Sequence, residues 1–291
     1  MAEGLLGKLD VYIIPHNERK KWCCRLLLLN VHLSPELFQL MCCALNVLTI
    51  PAPGFVYPPP RKLACTALCA QEYPRDGRSP LCSIPGFHVQ CVRGDIVHIV
   101  NLGVAQQFLG SCFIEMLSCG VFGNSQLPVA ALLRDAYRSF KEHLRRYKVQ
   151  SSQPRFTIRR LGRTQLRQNK FPLLKAKAWN TRCISSWMCE IAAASECDGR
   201  HAELRRHCCL QLAAWFTGVE RAGRFPSVEE CAKLKGHAIQ FLRGYGELAK
   251  FACAQRLALY PLKPKLHRWH HIARDLAREG CNPRYFCCYS D

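Results

Sequence analysis

The pattern of apolar and polar residues divides the chain into a mixed first third and a helical remainder. Apolar runs at residues 9–14 and 22–31 predict two strands that a polar loop would join as a hairpin. Residues 38–48 predict a short helix, and the proline-rich residues 51–60 predict an irregular linker. The valine- and isoleucine-rich residues 88–100 predict a further strand.

Beyond residue 123, apolar side chains recur at spacings of three and four residues, which predicts a series of helices. Pro172 is expected to open one of them, with the Trp179 ring facing inward. Ser227 and Glu230 have the spacing of a capping box at the start of another. Each of these signals marks a helix in the second part of the chain.

These elements predict an α+β fold that is predominantly helical. Residues 1–123 would form a mixed strand and helix part that holds a small sheet and the linker 51–60. Residues 124–291 would form a large, basic helical part. Its last helix is expected at 266–279, with Gly280 ending it.

Positive charge changes this picture, because it is concentrated in one stretch. The chain has a net charge of +20, and the segment from Arg134 to Arg182 holds fifteen lysines and arginines against two acids. A field of this size favours a polyanion, and nucleic acid is the first candidate. The alternative is a solvated basic face. The candidate contacts here are Arg134, Arg138, Lys141, Arg145, Arg146, Lys148, Arg155, Arg159, Arg160, Arg163, Arg167, Lys170, Lys175 and Lys177.

The chain is rich in cysteine, with 20 in 291 residues. Several of them, such as Cys112, Cys183 and Cys208, occupy apolar positions of helical patterns, which indicates small buried hydrophobic residues in a reducing compartment. The spacing of the cysteines at 65, 69, 82 and 91 matches no standard zinc pattern, so zinc is not favoured. The first ten residues do not resemble a signal peptide, and no uninterrupted apolar run is long enough for a membrane span. We therefore expect a soluble, intracellular protein with no membrane partner.

An aspartate and a histidine lie in the apolar run at 88–100. Asp95 would sit near the middle of a strand, where a carboxylate is costly unless it is paired or binds a metal. Clustered carboxylates hold Mg²⁺ or Mn²⁺ in two-metal phosphoryl-transfer sites. The alternative is that Asp95 lies at a strand edge and pairs with Arg93.

The residues around Asp95 and His98 resemble a block of the plant-type CACTA transposases and of a multicopy, transposon-like family of dinoflagellate algae. In that block an aspartate is followed by Met-His and then by Leu-Gly-Val; here Val97 replaces the methionine, and residues 102–104 read Leu-Gly-Val. The resemblance implies an RNase H-like sheet, on which Asp95 would be the second acid of an Asp-Asp-Glu triad.

Further blocks resemble the same families in the same order. Asp10, 12 residues before Trp22, is the acid that fits the first position of the triad. Residues 155–157, 171–178, 241–249, 264–272 and 282–291 resemble the middle and the end of the dinoflagellate family. There the run continues with a Glu-Asp pair, so the third acid would lie one residue beyond Asp291. The resemblance thus implies two remnant acids, Asp10 and Asp95, with weak metal binding, lost catalysis and a nuclear location.

A second basic group is predicted near the C-terminal end. His267 and His271 are one helical turn apart, and Lys265 and Arg268 accompany them. A shared face of two histidines suits a metal or a phosphate, and the neighbouring cations favour phosphate. The alternative is a pair of ordinary surface histidines.

Three interpretations follow. The first is a transposase-derived, nucleic-acid-associated protein, catalytically inactive or a fragment of a longer chain, that binds DNA in preference to RNA. The second is a non-enzymatic, basic helical protein that binds a partner. The third is the product of a decayed gene copy. The sequence does not indicate an oligomeric state.

Overall fold

The computed structural model describes residues 85, 93–195 and 199–287, all within one compact unit. A π-helical segment, Val97–Ala105, runs directly into α1, Gln106–Ser118. The α-helices that follow are α2 (Val129–Arg146), α3 (Ala178–Ala194), α4 (Arg200–Arg221), α5 (Val228–Ala254) and α6 (Pro264–Glu279). Short 3-10 helices occur at Ile158–Leu161 and Pro283–Phe286. The elements predicted at 9–14, 22–31, 38–48 and 51–60 lie outside the described residues.

The π-helical segment and α1 form one continuous helix that the other helices surround. Among the described helices, this one, Val97–Ser118, is long and apolar enough to cross a membrane, yet 89% of its apolar window is buried inside the protein. A helix that is apolar on all sides is typical of the core of a large helical domain. The ring of Phe108 meets that of Phe241 on α5 edge to face, at 5.1 Å between centroids. The central helix therefore organises the core.

The strand predicted at 88–100 is wrong where the structure describes it, because residues 96–100 begin this helix. None of the described residues forms a β-strand, so the predicted α+β fold with an RNase H-like sheet is corrected to a helical fold for that part of the chain. Branched side chains favour strands by packing on a pleated surface. A short apolar run does not, however, distinguish a strand from a helix that is buried all round.

Asp95 begins the central helix as a capping residue. Its Oδ1 accepts hydrogen bonds from the backbone amides of Val97, at 2.9 Å, and His98, at 3.4 Å. Its Oδ2 is hydrogen-bonded to Nδ1 of the His98 ring. An aspartate just before an apolar run is a helix-start signal, because its carboxylate satisfies amides that have no partner within the helix. That reading explains the acid without a metal.

The π-helical segment makes room for a lysine from α6. The Lys265 ammonium donates a hydrogen bond to the backbone carbonyl of His98 at 2.8 Å. At Gly103, an added Cβ would lie 2.5 Å from Cδ of Lys265 and 2.9 Å from the His98 carbonyl oxygen. The lysine therefore crosses the helix at Gly103, where a missing side chain allows it.

Aromatic side chains join the surrounding helices to one another. On one side, Trp187 of α3 packs edge to face on Phe113 at 5.7 Å and on Phe140 of α2 at 5.5 Å. On the other, Trp215 of α4 meets Trp269 of α6 at 5.5 Å. All five side chains are almost fully buried. Such rings bury large areas and add edge-to-face attraction, so they hold the bundle on both sides of the central helix.

A buried carboxylate on α1 links three segments that are distant in sequence. Glu115 accepts hydrogen bonds from His201 Nε2 at 2.8 Å and from the Tyr260 hydroxyl, and it pairs with Arg205 at 3.5 Å. The Arg205 side chain is only 3% exposed. Buried charges of this kind are stable only when they are paired and hydrogen-bonded. Glu115 therefore ties α1 to α4 and to the segment before α6.

The helix-end signals at α5 and α6 are confirmed. The Ser227 hydroxyl accepts a hydrogen bond from the Glu230 amide at 3.1 Å, and the Glu230 carboxylate accepts one from the Ser227 amide at 2.8 Å. Gly280 follows the last residue of α6 with a φ of +62°. These interactions join residues that are close in sequence, so the sequence pattern predicts them.

The prediction for α3 is wrong at its start. The helix begins at Ala178 rather than Pro172, and the Trp179 ring is 42% exposed rather than buried. Residues before Ala178 are extended, because Leu174 and Lys175 donate backbone hydrogen bonds to other segments. Tertiary contacts thus override a local helix signal.

The cysteines that the sequence places on apolar helix faces are buried as predicted. Ten are described, five of them are buried, and the described ones form no disulfide with one another. Cys112, Cys183 and Cys208 all lie in the core, as expected. Burial raises the pKa of the Cys183 thiol to about 11, so this thiol is protonated at neutral pH.

Gly103→Ala is expected to lower the free energy of unfolding by about 1–3 kcal/mol, since the new methyl group would overpack the crossing of Lys265. Gly236→Ala on α5 is the matched control, because nothing lies within 4 Å of a Cβ built there. Urea unfolding followed by circular dichroism compares the two variants. Equal stabilities would contradict the tight crossing.

Candidate nucleic-acid interface

The connection between α2 and α3, residues 147–177, carries much of the positive charge, and we call it the basic loop. It has an ordered backbone. Leu173 N donates to the Leu161 carbonyl at 3.0 Å, and Lys175 N donates to the Arg160 carbonyl at 2.7 Å. These bonds hold the two arms of the loop side by side. The loop therefore presents its cations from a fixed backbone.

Arg163 braces this loop from inside. Its side chain is buried, and its guanidinium donates to the carbonyls of Lys170 at 2.9 Å, Leu166 at 2.7 Å and Ala258 at 2.9 Å. Gly162 beside it has a φ of +73°, a left-handed turn that favours glycine. Burial lowers the pKa of Arg163, but a guanidinium keeps its proton in proteins. Arg163, predicted as a nucleic-acid contact, is thus engaged by the protein itself.

The basic loop is also anchored to the central helix. Leu174 N donates to the Gln106 carbonyl at 3.0 Å, and the Gln106 side-chain amide donates to the Ala176 carbonyl at 2.6 Å. Gly110 allows this approach, because a Cβ there would lie 2.9 Å from Leu174 N. The position of the loop thus depends on the core.

Most of the remaining cations of the loop point to solvent. No acid occurs in the sequence between His143 and Glu190. Within the described ranges, no ion pair joins these cations to a carboxylate, which contrasts with the paired arginines elsewhere. Arg160 is half-buried, and the exposed members are Lys148, Arg155, Arg159, Arg167, Lys170, Lys175 and Lys177.

The predicted contacts on α2 divide into two groups. Arg138 pairs with Asp135 at 3.2 Å, and Arg146 pairs with Glu190 of α3 at 2.9 Å. The others have no acidic partner in the part of the chain that the structure describes. They are Arg134, Lys141 and Arg145, of which Lys141 is half-buried and the arginines are exposed.

The predicted contacts on α6 belong to a different part of the bundle, since α6 packs on α5 and the π-helical segment whereas α2 packs on α1 and α3. Lys265 is held by the carbonyl described above. Burial, and then the charges of His267 and Arg274, lower the pKa of His271 to about 4. Its ring is therefore neutral at pH 7 and offers a phosphate no charge. Of the four predicted residues, Arg268 is the exposed one.

The Mg²⁺ or Mn²⁺ site implied by the transposase resemblance does not fit the described residues. Both oxygens of Asp95 are engaged by the helix start and by His98. No group of three or more histidine, cysteine or acidic side chains that could hold a metal occurs in 93–195 and 199–287. Asp10 lies outside these ranges. We therefore derive no metal-dependent chemistry from Asp95.

An exposed aromatic side chain accompanies the loop and was missed by sequence reasoning. Trp179 stands in the first turn of α3, and its indole N–H donates to the Gln150 carbonyl at 2.8 Å. Lys175 and Lys177 precede it directly. The sequence did contain a signal for this role. A tryptophan that comes directly after two lysines, in a stretch without acids, is typical of a surface that stacks on bases.

Comparisons with known proteins give no further guide to this site. No protein-family model, no curated protein and no solved structure matches the chain. The likeness to CACTA-type transposases accordingly stands as a reading of the sequence motifs.

Glu190 is predicted to make folding sensitive to acid. Burial alone would raise the pKa of Glu190, but hydrogen bonds from His143 and Tyr147, and the charges of His143 and Arg146, lower it. A carboxyl with a lowered folded-state pKa stabilises the protein above its unfolded pKa, and this stability is lost as the pH falls through the folded value.

We therefore expect the free energy of unfolding to fall as the pH drops below about 5, the range in which an unfolded glutamate begins to take up a proton, and to fall less steeply in Glu190→Gln. Urea titrations across that range measure it. Glu203→Gln, at an exposed position on α4, is the control and should keep the wild-type slope. An identical pH dependence of Glu190→Gln and wild type would refute the assignment.

Proposed function

We propose that this chain binds the phosphate backbone of nucleic acid through the basic loop and the C-terminal turn of α2. The observation that carries the proposal is a set of exposed cations on an ordered, acid-free loop. Each lysine or arginine that meets a phosphate releases a condensed counterion, which makes such binding strong at low salt and independent of sequence. The function is thus backbone recognition.

The way in which the loop is held supports this function. Like charges on one loop repel each other and destabilise the compact state. Carboxylates could neutralise them, but the hydrogen bonds that hold this loop run to neutral backbone carbonyls instead. Arg163 donates hydrogen bonds to three carbonyls, and the Gln106 side chain donates one to the carbonyl of Ala176, near the end of the loop. The surface cations are therefore positioned without being neutralised, as a polyanion-binding surface requires.

The start of α3 offers a complementary set of groups. Its first turn contains no acid, and Lys177 immediately precedes it. Amides at a helix start attract phosphate oxygens. The exposed ring of Trp179 can stack on an unpaired base. We propose that a nucleic-acid strand crosses the loop towards this turn.

DNA is the proposed nucleic acid, and the reason is the resemblance to CACTA-type transposases. A transposon-derived origin and a nuclear location belong to the same proposal. Strand cleavage does not, because Asp95 acts as a helix cap and the described residues contain no group of three or more side chains that could hold a metal. The proposed protein holds DNA without cutting it.

Binding should weaken steeply with salt. Fluorescence anisotropy with a labelled duplex, from about 50 mM to about 200 mM salt, would give a linear fall of log K with log salt. Arg159→Gln combined with Lys170→Gln removes two loop cations and is expected to reduce the slope by about 2.

The matched control removes two charges elsewhere. Lys235 and Arg243 are exposed on α5 and have no acidic partner among the described residues. Their double replacement by glutamine should change the slope far less. If both double variants lose the same amount, the binding reflects net charge and the proposed surface is wrong. If no salt-dependent binding is observed, the proposal that the chain binds nucleic acid is wrong.

A second prediction separates the shape of the loop from its charge. Arg163→Lys keeps the charge, but an ammonium cannot span the three carbonyls that the guanidinium fork reaches. DNA affinity should fall several-fold, and limited proteolysis should cut the loop sooner. Arg159→Lys, which conserves charge at an exposed position, should affect both far less. An unaltered affinity in Arg163→Lys would show that loop order is not needed.

A further inference from the structure

Two histidines on α6 face each other with their outer ring nitrogens. His267 and His271 are one helical turn apart, and their Nε2 atoms are 2.8 Å from each other. The rings are nearly perpendicular, at 89°, with centroids 4.3 Å apart. Histidines at this spacing on one helix face are a recurrent way of presenting two nitrogens to one metal ion. The convergence of the two Nε2 atoms is the observation from which the inference starts.

The hydrogen bonds define where the protons of this pair lie. An arginine can only donate, so the contact of 3.2 Å between Arg274 and Nδ1 of His271 makes that nitrogen an acceptor. His271 then carries its proton on Nε2 and donates it to Nε2 of His267. Arg274 thereby selects the tautomer of His271 in which Nε2 cannot bind a metal.

We propose that His267 and His271 form a two-histidine site for a divalent transition-metal ion such as Co²⁺, Ni²⁺ or Zn²⁺. Imidazole nitrogen is a preferred ligand of these ions. In a tetrahedral site with bonds of about 2.0–2.1 Å, two nitrogens lie about 3.3 Å apart. The two rings therefore need to separate by roughly half an ångström. Water would complete the coordination shell.

Metal binding requires one rearrangement. The proton of His271 moves through solvent from Nε2 to Nδ1, so the ring stays neutral and both Nε2 lone pairs face the ion. Nδ1 then carries a hydrogen and opposes the Arg274 guanidinium, which must turn away. Ligating histidines are normally supported by an acceptor at their other nitrogen. Arg274 is a donor and not an acceptor, so it opposes the metal-binding tautomer of His271.

This site is separate from the proposed nucleic-acid surface. It lies on α6, and none of the loop cations belongs to it. Among the described residues no third histidine, cysteine or acid completes the group. The protein thus contributes two ligands and leaves open positions, and binding should be weaker than at a four-ligand structural zinc site.

Cobalt titration of the purified full chain tests the proposal. The 20 cysteines make zinc ambiguous, because thiolates also bind it. Bound Co²⁺ distinguishes the two, since thiolate ligands add an intense charge-transfer absorption that histidine and water do not. Saturable binding with a nitrogen-type spectrum is expected. It should be lost in His271→Gln and in His267→Gln, each checked for folding by circular dichroism.

Two controls make the result specific. His270→Gln removes a neighbouring histidine that is not part of the pair, and it should leave cobalt binding in place. Arg274→Gln should bind cobalt several-fold more tightly, because the glutamine carbonyl can accept the Nδ1 hydrogen. Lys235→Gln removes one charge nearby on α5 and should strengthen binding less.

The opposing outcomes are equally clear. The site is refuted if folded wild-type protein binds no Co²⁺, if only a thiolate spectrum develops, or if His271→Gln binds as wild type does. An Arg274→Gln affinity no higher than that of Lys235→Gln would reject the restraining role of Arg274. If inorganic phosphate shifts the NMR signals of both rings and Co²⁺ does not, the pair is an anion site.

Discussion

Burial of one long apolar helix is the constraint on which the described structure depends. The helix Val97–Ser118 has almost no polar side, so every face has to be covered by protein. Trp187 of α3 and the rings of Phe241 and Tyr245 on α5 supply part of that cover. Asp95 satisfies its first amides, and Glu115 is its one acid inside the α1 segment. The surface features are built outward from this axis.

Three of the acids in the described part of the chain link separate helices or segments. Glu115 links α1 to α4, Glu190 joins α2 to α3, and Glu220 pairs with Arg182 and Arg284. Carboxylates placed in this way stabilise packing between helices, and none of them belongs to the basic loop. The strong positive charge of the surface is therefore partly a result of how the interior is held together.

Much of the helical part could be predicted from sequence, because capping and apolar spacing are local. The capping box at Ser227 and the glycine after α6 are examples. The local sequence could not show that the strand predicted at 88–100 is wrong. Whether such an apolar run forms a strand or a helix depends on how many of its faces other helices cover. Charge alone also does not distinguish Arg163, which is buried and bonds three carbonyls, from Arg159, which is exposed. The tautomers of His267 and His271 could not be assigned from sequence either, because they depend on where the Arg274 side chain lies in the structure.

The hydrogen bond from Arg163 to Ala258 joins the basic loop to a segment nearly a hundred residues away. A loop fastened to the bundle at that point loses its conformational entropy when the protein folds, before any ligand arrives. Association would then carry little ordering cost and a small heat-capacity change, unlike the coupled folding of disordered basic tails. In the proposed complex, a rigid array of this kind would favour a polyanion whose charges have a matching spacing.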